Sequence, residues 1–403
     1  MMRPFQSTIP LADAFTIIDG AIAPLGRIER VPLAEAHGRV LAQTIEATHD
    51  VPPFARGAMD GYAVRAADTS GASITVPRTL RCVEQIYTGQ VPTRTVGADE
   101  CAEIATGAPM PPGADAVVMV EETAPAGPGL VHVFAAASPG QNVGRQGQDI
   151  TRGQQVLLRG MRLNASRVGA LAALGVAAVD VYARPRVAIL STGNEIVPPG
   201  QPLAPGQIHD INSYTLSAVV SEHGGVPVTF RTAVDTIDDL SRAVDECLGE
   251  DLLVFSGGSS VGTRDLILDV IRAKGEVLFH GIAVKPGKPT AFGRIGDKLV
   301  FGMPGYPTSC LSNAYILLVP VLRRLAHLPD LAVHTVRMPL GARVVSAQGR
   351  HQFYTVRIVD GVAMPAFKAS GDITSMSQAD GYIEIDAGTD IVEAGALVDV
   401  AFF

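Results

Sequence analysis

From Leu11 to Leu25 the apolar residues Leu11, Phe15, Ile18, Ile22 and Leu25 recur at spacings of three and four, the period of a helix burying one face. An amphipathic opening helix is predicted there. Residues 46 to 150 lose that period. Short runs such as GYAV, DAVVMVEE and LVHVFA are separated by GAPMPPG and APAGPG, as expected of a small β domain. Asn164 is placed to cap a helix running through Leu174, which Gly175 would end with a left-handed exit. That helix is expected to link two domains. From Arg186 the runs VAIL, VTF, DLLVF and KLVFG alternate with helical patterns starting at Tyr214, Leu240, Leu266 and Ser309, the signature of βαβ units around a mostly parallel sheet. An α/β domain over 180–328 follows. Its helix near 240 carries Leu240, Val244 and Leu248 at spacing four with Gly249 beyond the end. After His334 strands return, and FYTVRIV and VAMPAF flank Asp360-Gly361, which reads as a hairpin on a type I′ turn. Residues 329–403 are expected to form a small C-terminal β domain.

Composition narrows the class. A chain of 403 residues with 47% hydrophobic content is long and apolar enough for two to four packed domains, whereas 42 Gly and 28 Pro point to many turns rather than long helices. The formal net charge of −8 repels polyanions, which disfavours nucleic-acid partners. Cys82, Cys101, Cys247 and Cys310 are scattered without a CxxC, so neither zinc spacing nor a disulfide framework is present, and they read as buried and reduced. The opening MMRPFQSTIP has no secretory apolar region, and the longest apolar run, Tyr315 to Leu322, contains Pro320 and is too short to span a membrane. A soluble, cytoplasmic protein is expected.

Four glycine-bearing loops leave the predicted strands of the α/β domain: STGNE (191–195), SGGSSVGTRD (256–265), KPGKP (285–289) and MPGYP (303–307). Ligands of open α/β sheets bind at the carboxyl ends of strands, where Gly257, Gly258 and Gly305 would let backbone amides approach an anion. Lys285 and Lys288 add positive charge, while Glu195, Asp235 and Asp265 add carboxylates able to hold Mg²⁺ against phosphate. Singly each has a plainer reading: a glycine turn, a solvated lysine, a helix cap at Asp265, a strand end at Asp235. Together they suggest metal-assisted phosphate chemistry. Neither GxxxxGK[ST] nor GxGxxG occurs, which removes the main support for a P-loop ATPase or a dinucleotide-binding dehydrogenase. Gly258 to Gly262 matches GxSxG with Ser260 as nucleophile, but Gly262-Thr263-Arg264 delays the helix that a serine-hydrolase elbow needs immediately after the serine. In the β region, Asp60-Gly61, Thr106 and Asp149 stand in turns whose composition assigns them no role.

Taken in order, AMDGYAV, ATGAPMPPGADAVVMVEE, GQDI, VAILSTGNEIV, SGGSSVGTRD, KPGKPTAFG and MPGYPTS resemble the molybdopterin molybdenumtransferase family, of the MoeA and gephyrin E-domain type. The resemblance implies a homodimer with an N-terminal helix and split linker domain (1–45 and 147–179), a β domain (46–146), a molybdopterin-binding α/β domain and a C-terminal β domain. It implies insertion of molybdenum from molybdate into the dithiolene of adenylated molybdopterin, with Mg²⁺ as supporting ion and release of AMP. An adenylating protein would then be a partner. By position, Asp265, Glu195 and Asp235 match acidic residues of the family's active site, with Asp265 and Asp235 the candidate metal ligands. Lys285 and Lys288 match its basic loop, and Gly257, Gly258, Ser260 and Gly305 fall in its substrate-binding loops. Asp60, Thr106 and Asp149 match residues the partner subunit brings to the cleft, and Arg350 and Ser370 match an anion contact from the C-terminal domain. This chain departs from the family at Tyr306, Asn194, Ser259 and Gln148, departures that also suit a tungstate-handling homologue or a non-catalytic pterin binder.

Overall fold

A computed structural model describes residues 8–230, 236–257 and 266–403. The chain divides into two compact units, Arg30–Val181 in one and the segment up to Glu29 with Tyr182–Phe403 in the other.

In the first unit a six-stranded sheet runs in the order Ala116–Met119, Gly61–Val64, Glu100–Ile104, Arg78–Ile86, Leu130–Val133, Thr123–Gly127. Alternation along these short strands sends Val64, Leu80, Cys101 and Val131 to one core and Ala63, Ile86, Ala102 and Ile104 to another, so both faces are covered. Elsewhere in this unit Asn164 caps the helix Ala165–Ala173, accepting from the Arg167 amide at 3.0 Å, and Gly175 leaves it at φ +66°. Leu171 of that helix packs with Leu41, Leu163, Val179 and Val181.

The larger unit is organised by a six-stranded sheet in the order Val226–Thr229, Arg186–Ser191, Leu252–Ser256, Lys298–Met303, Ala291–Ile295, Glu276–His280. The first four strands are mutually parallel, and the apolar runs of Arg186–Ser191, Leu252–Ser256 and Lys298–Met303 are buried on both faces because helices cover both sides. Asn212–Glu222 and Pro307–Asn313 cover one side, Ile237–Cys247 and Leu266–Lys274 the other. Ala291–Ile295 runs antiparallel to Lys298–Met303, since only Gly296 and Asp297 separate them and so short a turn reverses the chain, and Glu276–His280 pairs antiparallel with Ala291–Ile295 in its turn.

The opening helix stops at Ala21 rather than Leu25, because Pro24 cannot donate and drives the residue before it out of helical conformation. It buries Ala14 and Ile18 beside Val187, Ile189 and Leu317 of the α/β core. The apolar run Tyr315–Leu322 is also core. Helix Pro307–Asn313 passes through a π turn at Ala314–Leu318 into Val319–Leu325, and that wide turn falls immediately before Pro320, whose nitrogen has no proton to donate. Among the described residues no helix is long and apolar enough to cross a membrane.

Beyond His334 the strands run in the order His351–Val359, Gly381–Ile385, Leu397–Phe402, Thr335–Pro339. The predicted hairpin forms with Val359 opposite Val362, and its turn residues Asp360 and Gly361 take φ +50° and +76°. At the other edge His351 and Gln352 pair in parallel with Val284 and Lys285, which attaches the KPGKP loop to this sheet.

Candidate active site at the strand ends

Three of the glycine loops meet at the carboxyl edge of the parallel strands. Arg186–Ser191 ends in Thr192 and Gly193, Leu252–Ser256 in Gly257, and Lys298–Met303 in Pro304 and Gly305. The Thr192 amide donates to Ser256 O at 2.9 Å, and the Gly257 amide to Met303 O at 3.4 Å. Asn212, at the first turn of the helix Asn212–Glu222, ties the loops side to side: its Nδ2 donates to Ser256 Oγ at 2.6 Å and to Gly305 O at 2.8 Å. Beside it the Asp210 carboxylate accepts from the Ser191 hydroxyl at 3.1 Å and from the Ser213 amide at 3.0 Å. Thr192 Oγ1 and Asn212 Oδ1 are buried polar atoms with no hydrogen-bond partner among the described residues, which leaves unused polar capacity in the floor of this edge.

Glycine is required here by space. Gly257 sits at φ +98°, and a Cβ on it would lie 2.4 Å from Thr192 O. A Cβ on Gly193 would lie within 2.9 Å of the Glu195 carboxylate, which therefore folds back over the bare backbone. Glu195 is exposed, at the mouth of the edge. In the KPGKP loop Gly287, at φ +101°, rests on Asn313 at the end of helix Pro307–Asn313, whose Nδ2 donates to Gly287 O at 2.8 Å. Thr290 Oγ1 donates to the same carbonyl at 3.0 Å. This buried clasp fixes the backbone between Lys285 and Lys288, both half-buried. Ser370 reaches the same helix through its main chain, its carbonyl accepting from the Thr308 amide at 3.1 Å, while Arg350 turns the chain into the strand His351–Val359. The ring of Tyr306, 67% exposed, stands ahead of Pro307. Asp235, Gly258, Ser260 and Asp265 lie outside the described residues.

In the smaller unit Asp60 and Thr106 come together across 46 residues. The Thr106 amide and hydroxyl donate to Asp60 Oδ1 at 2.6 and 2.9 Å, and these two bonds, the amide first, hold the exposed carboxyl below its ordinary range. Asp60 lines an open cleft with Tyr62, Gln85, Tyr87 and Glu103. Asp149 is exposed on a separate strap, its amide donating to Val51 O, and no hydrogen bond or ion pair among the described residues joins it to Asp60 or Thr106.

The sequence matches the MoeA N-terminal region (domain I and II) over residues 9–175, a probable molybdopterin binding domain over 188–324 and the MoeA C-terminal region (domain IV) over 337–403. It is 36% identical to molybdopterin molybdenumtransferase 2 of Mycobacterium tuberculosis, covering 91% of this chain and 92% of that protein. The chain belongs to the molybdopterin molybdenumtransferase family. Membership makes it a transferase of molybdenum cofactor biosynthesis. The molybdopterin molybdenumtransferase of Bacillus subtilis is 33% identical over 93% of this chain and 90% of its own length. The crystal structure of the molybdopterin biosynthesis MoeA protein from Pyrococcus horikosii superposes with a TM-score of 0.85 at 39% identity, covering 98% of this chain and 99% of that one.

Within this family member the strand-end loops and both lysines fall in the probable molybdopterin binding domain, and Asp60, Thr106 and Asp149 in the N-terminal region. The sequence motifs did not single out Asp210, Asn212, Ser256 or Asn313, which hold those loops in place. A signal existed for two of them, because Asp-Ile-Asn-Ser at 210–213 concentrates helix-capping residues ahead of the predicted helix. Ser256 opens the SGGSSVGTRD loop without a role of its own, and nothing marks Asn313 at the end of PTSCLSN.

Proposed function

We propose that this chain inserts molybdenum from molybdate into the dithiolene of adenylated molybdopterin and releases AMP. The observation that carries the reading is the double donation of Asn212 to Ser256 and Gly305, which ties two glycine loops into one amide-rich edge that the Thr192 amide joins through Ser256 O. Adenylated pterin and molybdate are both anions, and a cleft that accepts them needs backbone N–H groups and fixed cations. Gly193, Gly257 and Gly305 provide close backbone approach, and Lys285 and Lys288, held by the Gly287–Asn313 clasp, provide positive charge. These side chains bind and orient the phosphates. The Glu195 carboxylate, folded over Gly193 at that edge, would repel an anion unless a cation stands between them.

Among the described residues no three His, Cys, Asp or Glu side chains are placed to hold a metal. The described residues alone do not make a Mg²⁺ site, and the ion enters the reading only through Asp235 and Asp265. The working unit is taken as a cytoplasmic homodimer in which Asp60, Thr106 and Asp149 act on the partner's substrate, supplied by a pterin-adenylating protein. The N-terminal helix with the split linker domain, the β domain, the α/β domain and the C-terminal domain are read with the boundaries 1–45 and 147–179, 46–146, 180–328 and 329–403. The test is AMP release from adenylated molybdopterin with Mg²⁺, with and without molybdate, for the native chain and Asp265→Ala. Release that needs both molybdate and Asp265 supports the reading, and pterin binding without release sinks it in favour of a binder.

A further inference from the structure

In the sheet of the smaller unit Cys82, on the strand Arg78–Ile86, stands directly opposite Cys101, on Glu100–Ile104, in parallel register. Paired strands lie about 4.8 Å apart, inside the roughly 4.4–6.8 Å separation of Cα atoms that a disulfide bridges. The Cys82 thiol also donates to Glu84 O at 3.4 Å. Their access to solvent differs: Cys101 is fully buried with Val64, Leu80 and Val118, whereas Cys82 is half-buried at the margin of that core beside Tyr62. One rung along the same face, Tyr62, Glu103 and Gln85 align across the three strands, with Gln85 Nε2 donating to Glu103 at 2.8 Å, and all three line the open cleft of Asp60. Cys82 is therefore one rung from water. Cys247 and Cys310 differ on every count, being buried in the other unit with no cysteine opposite and with thiols that burial pushes up to about 12.

We propose that Cys82 and Cys101 form a reversible dithiol–disulfide couple oxidised by hydroperoxides, with Cys82 as the attacking sulfur and Cys101 as the resolving one. In the first step the Cys82 thiolate attacks the terminal oxygen of the hydroperoxide. An S–O bond forms, the O–O bond breaks, and the leaving alkoxide or hydroxide takes a proton, so Cys82 becomes a sulfenic acid. In the second step the Cys101 sulfur attacks Cys82, an S–S bond forms, the S–O bond breaks, and the oxygen leaves as water with the Cys101 proton. Two electrons pass from the sulfur pair to the peroxide. A dithiol returns the couple to its reduced form by exchange. The local chemistry supports this order. The neighbouring Cys101 thiol and the Glu103 and Glu84 backbone outweigh partial burial and hold the Cys82 thiol below its ordinary range, which favours its thiolate. The same contact together with burial pushes Cys101 far up, which keeps it protonated until the sulfenic acid forms.

The experiment treats the reduced full-length chain with hydrogen peroxide, blocks remaining thiols and maps the peptides. A dithiothreitol-reversible Cys82–Cys101 crosslink is expected, with loss of two of the four thiols. In Cys101→Ser, dimedone is expected to trap a sulfenic acid on Cys82, and in Cys82→Ser residue 101 stays unmodified. The proposal is overturned if the native chain yields no such crosslink, or if the thiols lost are Cys247 and Cys310. Mapping of the native chain decides the matter even where a variant fails to fold, and it needs no part of the molybdenum chemistry.

Discussion

The side-chain amide of Asn313 occupies the space a side chain at residue 287 would need: Nδ2 lies 2.8 Å from Gly287 O, and a Cβ on Gly287 would be 2.3 Å from the same nitrogen. Asn313 is wholly buried, so it cannot swing out to solvent. The loop carrying Lys285 and Lys288 is thereby keyed to the end of helix Pro307–Asn313.

Gly287→Ala is accordingly expected to cost about 2 kcal/mol or more, from the strained φ and the overlap together. Urea unfolding midpoints measure it. A double-mutant cycle with Asn313→Ala is expected to show coupling, because shortening Asn313 removes the overlap. Additive losses would mean that the loop and the helix do not touch as described.

Asn212→Ala leaves Gly305 O and Ser256 without their shared donor, and a loss of about 1–3 kcal/mol is expected for these desolvated groups. Pterin binding should weaken with it, since two loops lose their tie. Asn212→Asp, which keeps the size but removes the donor, should behave like the alanine variant in a binding titration. Native-like binding by the aspartate variant would show that steric fit rather than donation holds the loops.

A pH effect is expected from Asp251, which takes two bonds from Arg27 at 2.8 and 3.0 Å and one from the Arg186 amide at 2.8 Å. Burial pushes this carboxyl up, but the Arg27 guanidinium and the Arg186 amide outweigh it and hold the group below the usual carboxylate range. A depressed carboxyl contributes stability that is present above its unfolded pKa, about 4, and is lost as the pH falls through the lower folded value. Unfolding midpoints of the native chain should therefore drop more steeply below about pH 4 than those of Asp251→Asn. Parallel curves would show that this pair does not drive the acid limb.

Asp60→Asn is expected to reduce AMP release on the order of a hundredfold while leaving the unfolding midpoint unchanged, as for an exposed group serving chemistry rather than packing. Thr106→Val removes the hydroxyl donor and keeps the amide, so the Asp60 carboxyl should rise part of the way to its ordinary range. Any acid limb of activity due to Asp60 would move to higher pH. A full-rate Asp60→Asn variant would remove this carboxylate from the reaction.

Much of the fold was legible because its signals are local. The Asp360-Gly361 hairpin follows from two adjacent residues that tolerate positive φ, and the Asn164 helix from a capping side chain and a glycine exit eleven positions later. The parallel strands announce themselves as unbroken apolar runs, because helices on both faces leave no polar side. Site residues in glycine loops were visible for the same reason: close backbone approach excludes a side chain, and that exclusion is written into residue type.

The alternation of elements, the turn chemistry and the motif order are thus properties of the chain read along its length. Partnerships were decided only on folding. Asn212 meets Gly305 across 93 residues and Ser256 across 44, and the opening helix leaves its sequence neighbours to bury Ala14 and Ile18 against Val187 and Ile189. Cys82 faces Cys101 only because two strands pair in one register and no other. A hydrogen bond or a packed methyl has a range of a few ångströms, so sequence periodicity specifies which face of an element must be covered, while the identity of the covering residue emerges from the three-dimensional packing of all the elements at once.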